Sequence, residues 1–208
     1  MSPIETTPTK PGLRERKKQQ TRDTIARAGL ELFAERGYDQ TTLAEIAEAA
    51  NVSPRTIFSY FENKEDILFC EEARFLDQLR QTLDDRPEGT TTVDAIREFL
   101  SSIEPPDEAA RLRKQIVMAT PALQMRMGAR HSQLEPMLAA SIAKDLRAKP
   151  DDLRPLLIAA SITAAFMSVS DRLSEAEAGD EPVSHERAMA ILDEVVEFLR
   201  GGLEALQR

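Results

Sequence analysis

The chain has 208 residues, 30% charged and 41% hydrophobic, an ordinary balance for one large globular domain or two small ones that share a core. No run approaches the ~20 apolar residues of a membrane span, because the best candidate, 156–169, is interrupted by Ser161, Thr163 and Ser168, and the lone Cys70 excludes an internal disulfide framework. A net charge of −9 argues against general polyanion binding, but residues 1–64 carry 10 Lys/Arg against 9 Asp/Glu, and 65–208 carry 17 against 27.

Met1 to Pro11 is polar and has no apolar signal-peptide core, so a cytoplasmic protein with no membrane partner is expected. Residues 1–12, with three prolines, are expected to be a disordered tail. From Lys10 to Arg22 six cations (Lys10, Arg14, Arg16, Lys17, Lys18, Arg22) face only Glu15, which fits either a local polyanion contact or a solvated tail. No segment alternates as a strand does, and apolar residues recur at helical spacing, so an all-α fold is expected. The first helix spans about Arg14 to Arg36, with Ile25, Ala28, Gly29, Leu32 and Phe33 as its apolar stripe and Gly37 at its end. Thr42 opens a short helix with a T-x-x-E capping box to Glu45, and Asn51 is a suitable left-handed stop. Ser53-Pro54 opens the next, about Pro54 to Phe61, and Asn63 caps a fourth in which Leu68, Phe75, Leu76, Leu79 and Leu83 face inward.

Two short helices joined by Ala50-Asn51-Val52 read as a helix-turn-helix. The first helix needs small residues to brace the second, and Ala44, Ala47, Ala49 and Ala50 supply them. The second needs an outer face that reaches base edges and phosphates, and Arg55, Thr56, Ser59 and Tyr60 supply that. Thr24 to Leu68 resembles the N-terminal domain of the tetracycline-repressor (TetR) family, through A-x-x-x-LFAERGY at 28–38, TT-x-x-x-IA at 41–47, NVS at 51–53 and T-[LI]-[FY]-x-[HY]-F-x-x-K-x-x-[IL] at 56–67. The resemblance implies that Thr42 and Lys64 hold phosphates and that Ser53, Pro54, Arg55, Thr56, Phe58, Ser59 and Tyr60 line the groove side. The basic residues Arg14, Lys17, Lys18 and Arg22 complete the expected contacts. Arg55 stands where the family often has a small residue, and Tyr60 where it often has His. Arg55 can read a guanine bidentately or grip a phosphate, and the sequence leaves both open.

Beyond Asp84 helices are expected at about 92–103, 107–119, 122–148 (with a break near Gly128), 153–173 and 184–206, the last two flanking an acidic loop at 174–183. Domain boundaries follow as a 13–64 DNA-binding domain and a 65–208 regulatory and dimerisation domain. The apolar faces of the last two helices, with Leu157, Ala160 and Ala164 on one and Leu192, Val196, Leu199 and Leu203 on the other, would build a four-helix interface between two chains, or bury each other within one. Ile116, Val117, Met118, Leu123, Met125, Met127, Leu134, Met137, Leu138 and Phe166 are candidate walls of an effector pocket or plain core. Arg126 and Arg130 could receive an anionic head group, or form a solvated face. His131 and His185 have no ligand-like neighbours in sequence, so no metal and no cofactor is expected.

No phosphate loop, G-x-S-x-G, H-E-x-x-H or Cys–His constellation is present, so no enzyme is expected. Glu71-Glu72 reads as solvated charge. The expected function is therefore a homodimeric transcriptional regulator, a repressor by default, that binds a palindromic double-stranded operator and is released by a small apolar or amphipathic effector. The alternative is a helical protein–protein adaptor that has lost DNA binding.

Overall fold

The computed structural model describes residues 12–104 and 107–177 (backbone alone for 169–177), with 187, 190–191, 193–195, 197–198 and 200–202 beyond them. The described residues are helical and contain no strand. The helices are α1 (Leu13–Arg36), α2 (Leu43–Ala49), α3 (Pro54–Ile57), α4 (Lys64–Leu68), α5 (Cys70–Asp84), α6 (Thr92–Ser101), α7 (Glu108–Ala119), α8 (Pro121–His131), α9 (Leu134–Leu146) and α10 (Arg154–Glu177).

Two compact units form. The first holds the described residues up to Glu71 together with Asp107–Ala119, and the second holds Glu72–Pro106 and the chain from Thr120 on. The break thus falls at 71/72 instead of the expected 64/65, and α7 leaves the body to pack on α1. Burial accounts for both shifts: Ile67, Leu68, Phe69 and Cys70 all continue the first unit's core, and Val117 anchors α7.

Local chemistry sets the first unit's corners. Thr42, Ser53 and Asn63 each accept the backbone N–H three residues on, so α2, α3 and α4 all start on a side-chain cap. Asn51 takes φ 54°, the left-handed turn expected of it. At Gly29 α1 and α4 come so close that an added Cβ would sit 2.6 Å from Cγ2 of Ile67. An alanine in mid-helix ordinarily gains ~1 kcal/mol over glycine. Here overpacking of about 1–3 kcal/mol opposes that gain, so Gly29→Ala is expected to lower Tm. Ile67→Leu removes the offending branch and is expected to restore part of the loss in the double variant, read as a coupling in thermal melts.

In the second unit α9 packs on α10, α6 and α8 around Leu76, Leu79, Leu83, Val93, Phe99, Leu134, Leu138, Ile142, Ala159 and Ile162. Two expectations change. The 122–148 helix breaks at 132–133, not near Gly128. Pro136 is the reason: in a continuous helix it would lose the bond to residue 132 and clash with that carbonyl. The segment 174–177 is helix instead of loop, since Glu175, Ala176 and Glu177 are strong helix formers and the first glycine is Gly179.

Arg86, in the α5–α6 connection, donates to the hydroxyl of Ser141, the carboxylate of Asp145 and the hydroxyl of Thr92. The other oxygen of Asp145 accepts the Thr92 backbone N–H at 2.7 Å, and the Thr92 hydroxyl donates to Ser141 at 2.9 Å. This network ties the starts of α6 and the end of α9 together beneath the surface.

Candidate nucleic-acid interface

The turn around α3 presents one face outward. Ile57 and Phe61 are buried, Ser53, Pro54, Arg55, Phe58 and Ser59 are exposed, and Thr56 and Tyr60 are half-buried. Phe58 is 60% exposed, a large apolar side chain left in water beside Arg55. Past α3 the bonds Tyr60 N–H to Ile57 and Phe61 N–H to Ile57 carry the helical turn to the expected end. The Ser53 hydroxyl caps this turn, accepting from the Thr56 N–H at 3.0 Å and sharing a hydrogen with the Thr56 hydroxyl at 2.7 Å. Arg14, Lys17 and Lys18 are exposed on the first turns of α1, at spacings that place them on one side of the helix.

Three residues expected to contact DNA are bonded within the protein. The Lys64 ammonium donates to the carbonyls of Tyr38 (2.7 Å), Asp39 (3.3 Å) and Thr41 (3.3 Å), and lies 4.3 Å from the centre of the Tyr38 ring. An ammonium has three donors, and all three are used. Lys64 therefore pins the α1–α2 turn to α4. Arg22 is half-buried; it donates to the Tyr60 carbonyl at 3.2 Å and stacks 4.6 Å from the Phe61 ring. It clamps the end of the reading turn, where a cation also meets the negative end of the helix dipole. The Thr42 hydroxyl donates to the Glu45 carboxylate at 2.7 Å and accepts the Glu45 N–H, so its proton is spent inside the capping box. Those bonds from Thr42, with help from Arg36, hold the Glu45 carboxyl below its ordinary pKa. These intramolecular bonds were not readable from the sequence, because the carbonyl cluster that receives Lys64 exists only once the chain turns at Gly37.

A lysine on a phosphate contributes about one unit to the salt slope of DNA affinity. Lys64→Met is expected to lower Tm and weaken binding while leaving the wild-type salt slope intact, in binding titrations over a range of salt. A slope reduced by one unit would return Lys64 to the phosphates.

The second unit holds an apolar cavity of about 40 Å³ lined by Phe75, Leu79, Ile96, Leu100, Leu134, Leu138, Ile162, Thr163 and Phe166. Of the expected pocket residues Leu134, Leu138 and Phe166 line it, and Met137 packs on the adjoining core. Ile116 and Met118 lie on α7 in the first unit, Met125 is 75% exposed, and neither Arg126 nor Arg130 lines the cavity. Helical spacing places residues on a face but does not say which neighbour covers that face. Of the expected interface residues, Leu157 is 64% exposed, Ala164 is exposed and Ala160 is half-buried, while Leu192, Val196, Leu199 and Leu203 lie outside the described residues. Among the described residues no group of His, Cys, Asp and Glu could hold a metal, and no helix is long and apolar enough to cross a membrane.

The chain is similar to known transcriptional regulators. Residues 25–69 match the family described as bacterial regulatory proteins of the tetR family, and residues 90–204 match the MftR C-terminal domain. The chain is 35% identical over 178 residues to the HTH-type transcriptional regulator TcmR of Streptomyces glaucescens, covering 79% of this chain and 77% of that one. Among solved structures, SmeT in its triclosan complex aligns with a TM-score of 0.59 at 24% identity, covering 86% of this chain and 91% of that one. FadR of Thermus thermophilus, a TetR-family repressor in complex with lauroyl-CoA, aligns at 0.53 and 24% identity, covering 87% and 94%. The exposed reading turn, the caps that set its angle and matches over both units lead to one assignment: this chain belongs to the tetracycline-repressor (TetR) family and is a DNA-binding transcriptional regulator.

Proposed function

We propose that the protein works in the cytoplasm as a homodimeric, effector-responsive repressor whose α3 turn reads a palindromic operator. The observation that carries this reading is the exposed run Ser53, Pro54, Arg55, Phe58 and Ser59 on a turn clamped from behind by Arg22 and by buried Ile57 and Phe61. Arg55 and Tyr60 approach the base edges, and Arg14, Lys17 and Lys18 meet phosphates along the flank. Lys64, Arg22 and Thr42 position the reading turn from within.

A palindromic operator needs two copies about 34 Å apart, and α10 supports a dimer. Leu157, Ser161 and Ala164 recur along it at helical spacing and are all exposed, with Leu156 beside them at 45% and exposed Leu153 just ahead of the helix. Small residues let a partner helix approach closely. Effector release requires a molecule whose affinity differs between the DNA-competent dimer and another geometry, and the cavity in the second unit is the place proposed for it.

The test is selection and sequencing of genomic fragments bound by the full chain, beside an Arg55→Ala/Tyr60→Ala variant. Enrichment of one inverted repeat, lost in the variant, is the expected result. No enrichment over input at low salt would overturn DNA reading, and enrichment of a single half-site would overturn the dimer.

A further inference from the structure

Helix α1 outruns the core it helps to build. Its buried stripe includes Ile25, Ala28, Gly29 and Leu32, and counted back in steps of three and four that stripe passes through Arg22, Lys18 and Arg14. Arg22 is held inside the protein, by the Tyr60 carbonyl at 3.2 Å and the Phe61 ring at 4.6 Å. Every residue from Gly12 to Gln20 is exposed. The inner face of α1 thus continues past the end of the reading turn, and where its apolar residues stop it carries cations.

Those cations have no duties within the fold. Among the described residues Arg14, Lys17 and Lys18 make no ion pair and no side-chain hydrogen bond, and Glu15, the one acid between Gly12 and Arg22, pairs with none of them. Arg16 stands apart from this face. With Gln20, Asp23 and Arg27 it lines a shallow groove on the outer side of α1, opposite the buried stripe.

The rise of the helix sets what each cation reaches. At ~1.5 Å per residue, Lys18 stands ~6 Å and Arg14 ~12 Å beyond Arg22 along the axis. A reading turn seated in a major groove ~12 Å wide has a phosphate strand ~6 Å to either side. Lys18 is then level with the nearer strand, and Arg14 lies past it, over the minor groove that follows. That groove, ~6 Å wide, excludes a helix but admits a single extended side chain. Its negative potential is deepest where A·T runs narrow it, and a guanidinium, less hydrated than an ammonium, sheds water more readily to enter. Leu13, 65% exposed beside Arg14, offers apolar surface to the sugars that wall the groove.

We infer that Arg14 reads the minor groove bordering each half-site, so that the protein selects operators flanked by A·T pairs, with Lys18 on the phosphate strand between the two grooves. The inference rests on the DNA reading proposed above and carries the Arg14 contact from the phosphate edge into the groove. It adds a preference at positions that α3 does not touch.

Selection of the full chain on a random duplex library, followed by titration of the recovered repeat in altered flanks, tests it. The repeat is expected to return with A·T pairs enriched beside each half-site, and A·T flanks to bind at least about fivefold more tightly than G·C flanks. Inosine·cytosine flanks keep the major-groove face of G·C but lack the guanine amino group in the minor groove, and are expected to match A·T within about twofold. Arg14, Arg16 and Lys18 are all exposed, so substitutions there should melt with the wild type. Arg14→Ala is expected to bring A·T and G·C flanks within about twofold of each other while the repeat itself is still enriched, and Arg14→Lys, which keeps the charge, to retain less than half of the preference. Arg16→Ala should leave the preference unchanged, and Lys18→Ala should weaken all flanks alike and lower the salt slope by about one unit. A preference that survives Arg14→Ala would belong to bending of the flanks and would overturn the inference. Inosine flanks that behave as G·C would overturn it as well. A repeat recovered with no flank preference sinks the role of Arg14 alone, whereas no repeat recovered at low salt sinks the DNA reading with it.

Discussion

Asp145→Ala is expected to destabilise the second unit by about 3–5 kcal/mol, the usual cost of stranding a buried charge. The Arg86 and Asp145 side chains are only 11% and 7% exposed, so water cannot take the place of the lost partner. The same substitution frees the Thr92 N–H at the start of α6. Against a total stability of about 5–15 kcal/mol, the loss takes most of the margin, and Tm at fixed protein concentration should fall steeply. Asp145→Asn keeps an acceptor for Thr92 and removes the charge, so it should fall between. Replacing both partners, as Arg86→Met with Asp145→Leu, should recover much of the loss, since a buried ion pair is worth little over a well-packed apolar one. A single Asp145→Ala variant within 0.5 kcal/mol of wild type in denaturant unfolding would show that the network is not under tension from burial. The network matters for function because α5, α6 and α9, the helices it ties, carry six of the cavity's walls: Phe75, Leu79, Ile96, Leu100, Leu134 and Leu138.

How much of this was legible in the sequence differs between the two units. In the first, short-range signals decide the structure. Caps at Thr42, Ser53 and Asn63, the left-handed Asn51 and Gly37 are each readable within four residues, and all occur as expected. Long-range pairings were not readable there: nothing local says that Lys64 reaches Tyr38 or Arg22 reaches Tyr60, 26 and 38 residues away. In the second unit nearly every contact of interest is of that kind. Glu72 was read as solvated charge and is paired with His131. Asp145 did leave a trace: it follows Leu134, Leu138 and Ser141 on the buried stripe of α9, and a carboxylate on an apolar stripe needs a partner. The sequence does not show that the partner is Arg86, 59 residues earlier. Among the expected ligand walls, the methionines at 118 and 125 have helical spacing but are largely exposed, for a related reason.

Arg55→Ala is expected to weaken operator binding by about 1–3 kcal/mol per half-site and to relax the preference at one base position. Arg55 is exposed at the start of α3 and carries only backbone duties there, its carbonyl accepting from the Ser59 hydroxyl at 3.3 Å. Removing the side chain should therefore leave the fold within ±0.5 kcal/mol, as for other surface positions. The two roles open to its guanidinium give different signatures. A base reader loses discrimination with little change in salt slope, whereas a phosphate grip loses affinity uniformly over sequences and about one unit of slope. Phe58 tilts the expectation toward bases. An apolar ring left 60% in water beside Arg55 gains by burial against a thymine methyl or a sugar, and that contact brings α3 deep enough for its neighbour to reach a base edge. Phe58→Ala should then weaken binding and reduce the penalty of Arg55→Ala in the double variant, because the helix no longer seats at reading depth. Additive losses in that cycle, with uniform weakening across operator variants, would place Arg55 on a phosphate and leave base reading to Ser59 and Tyr60.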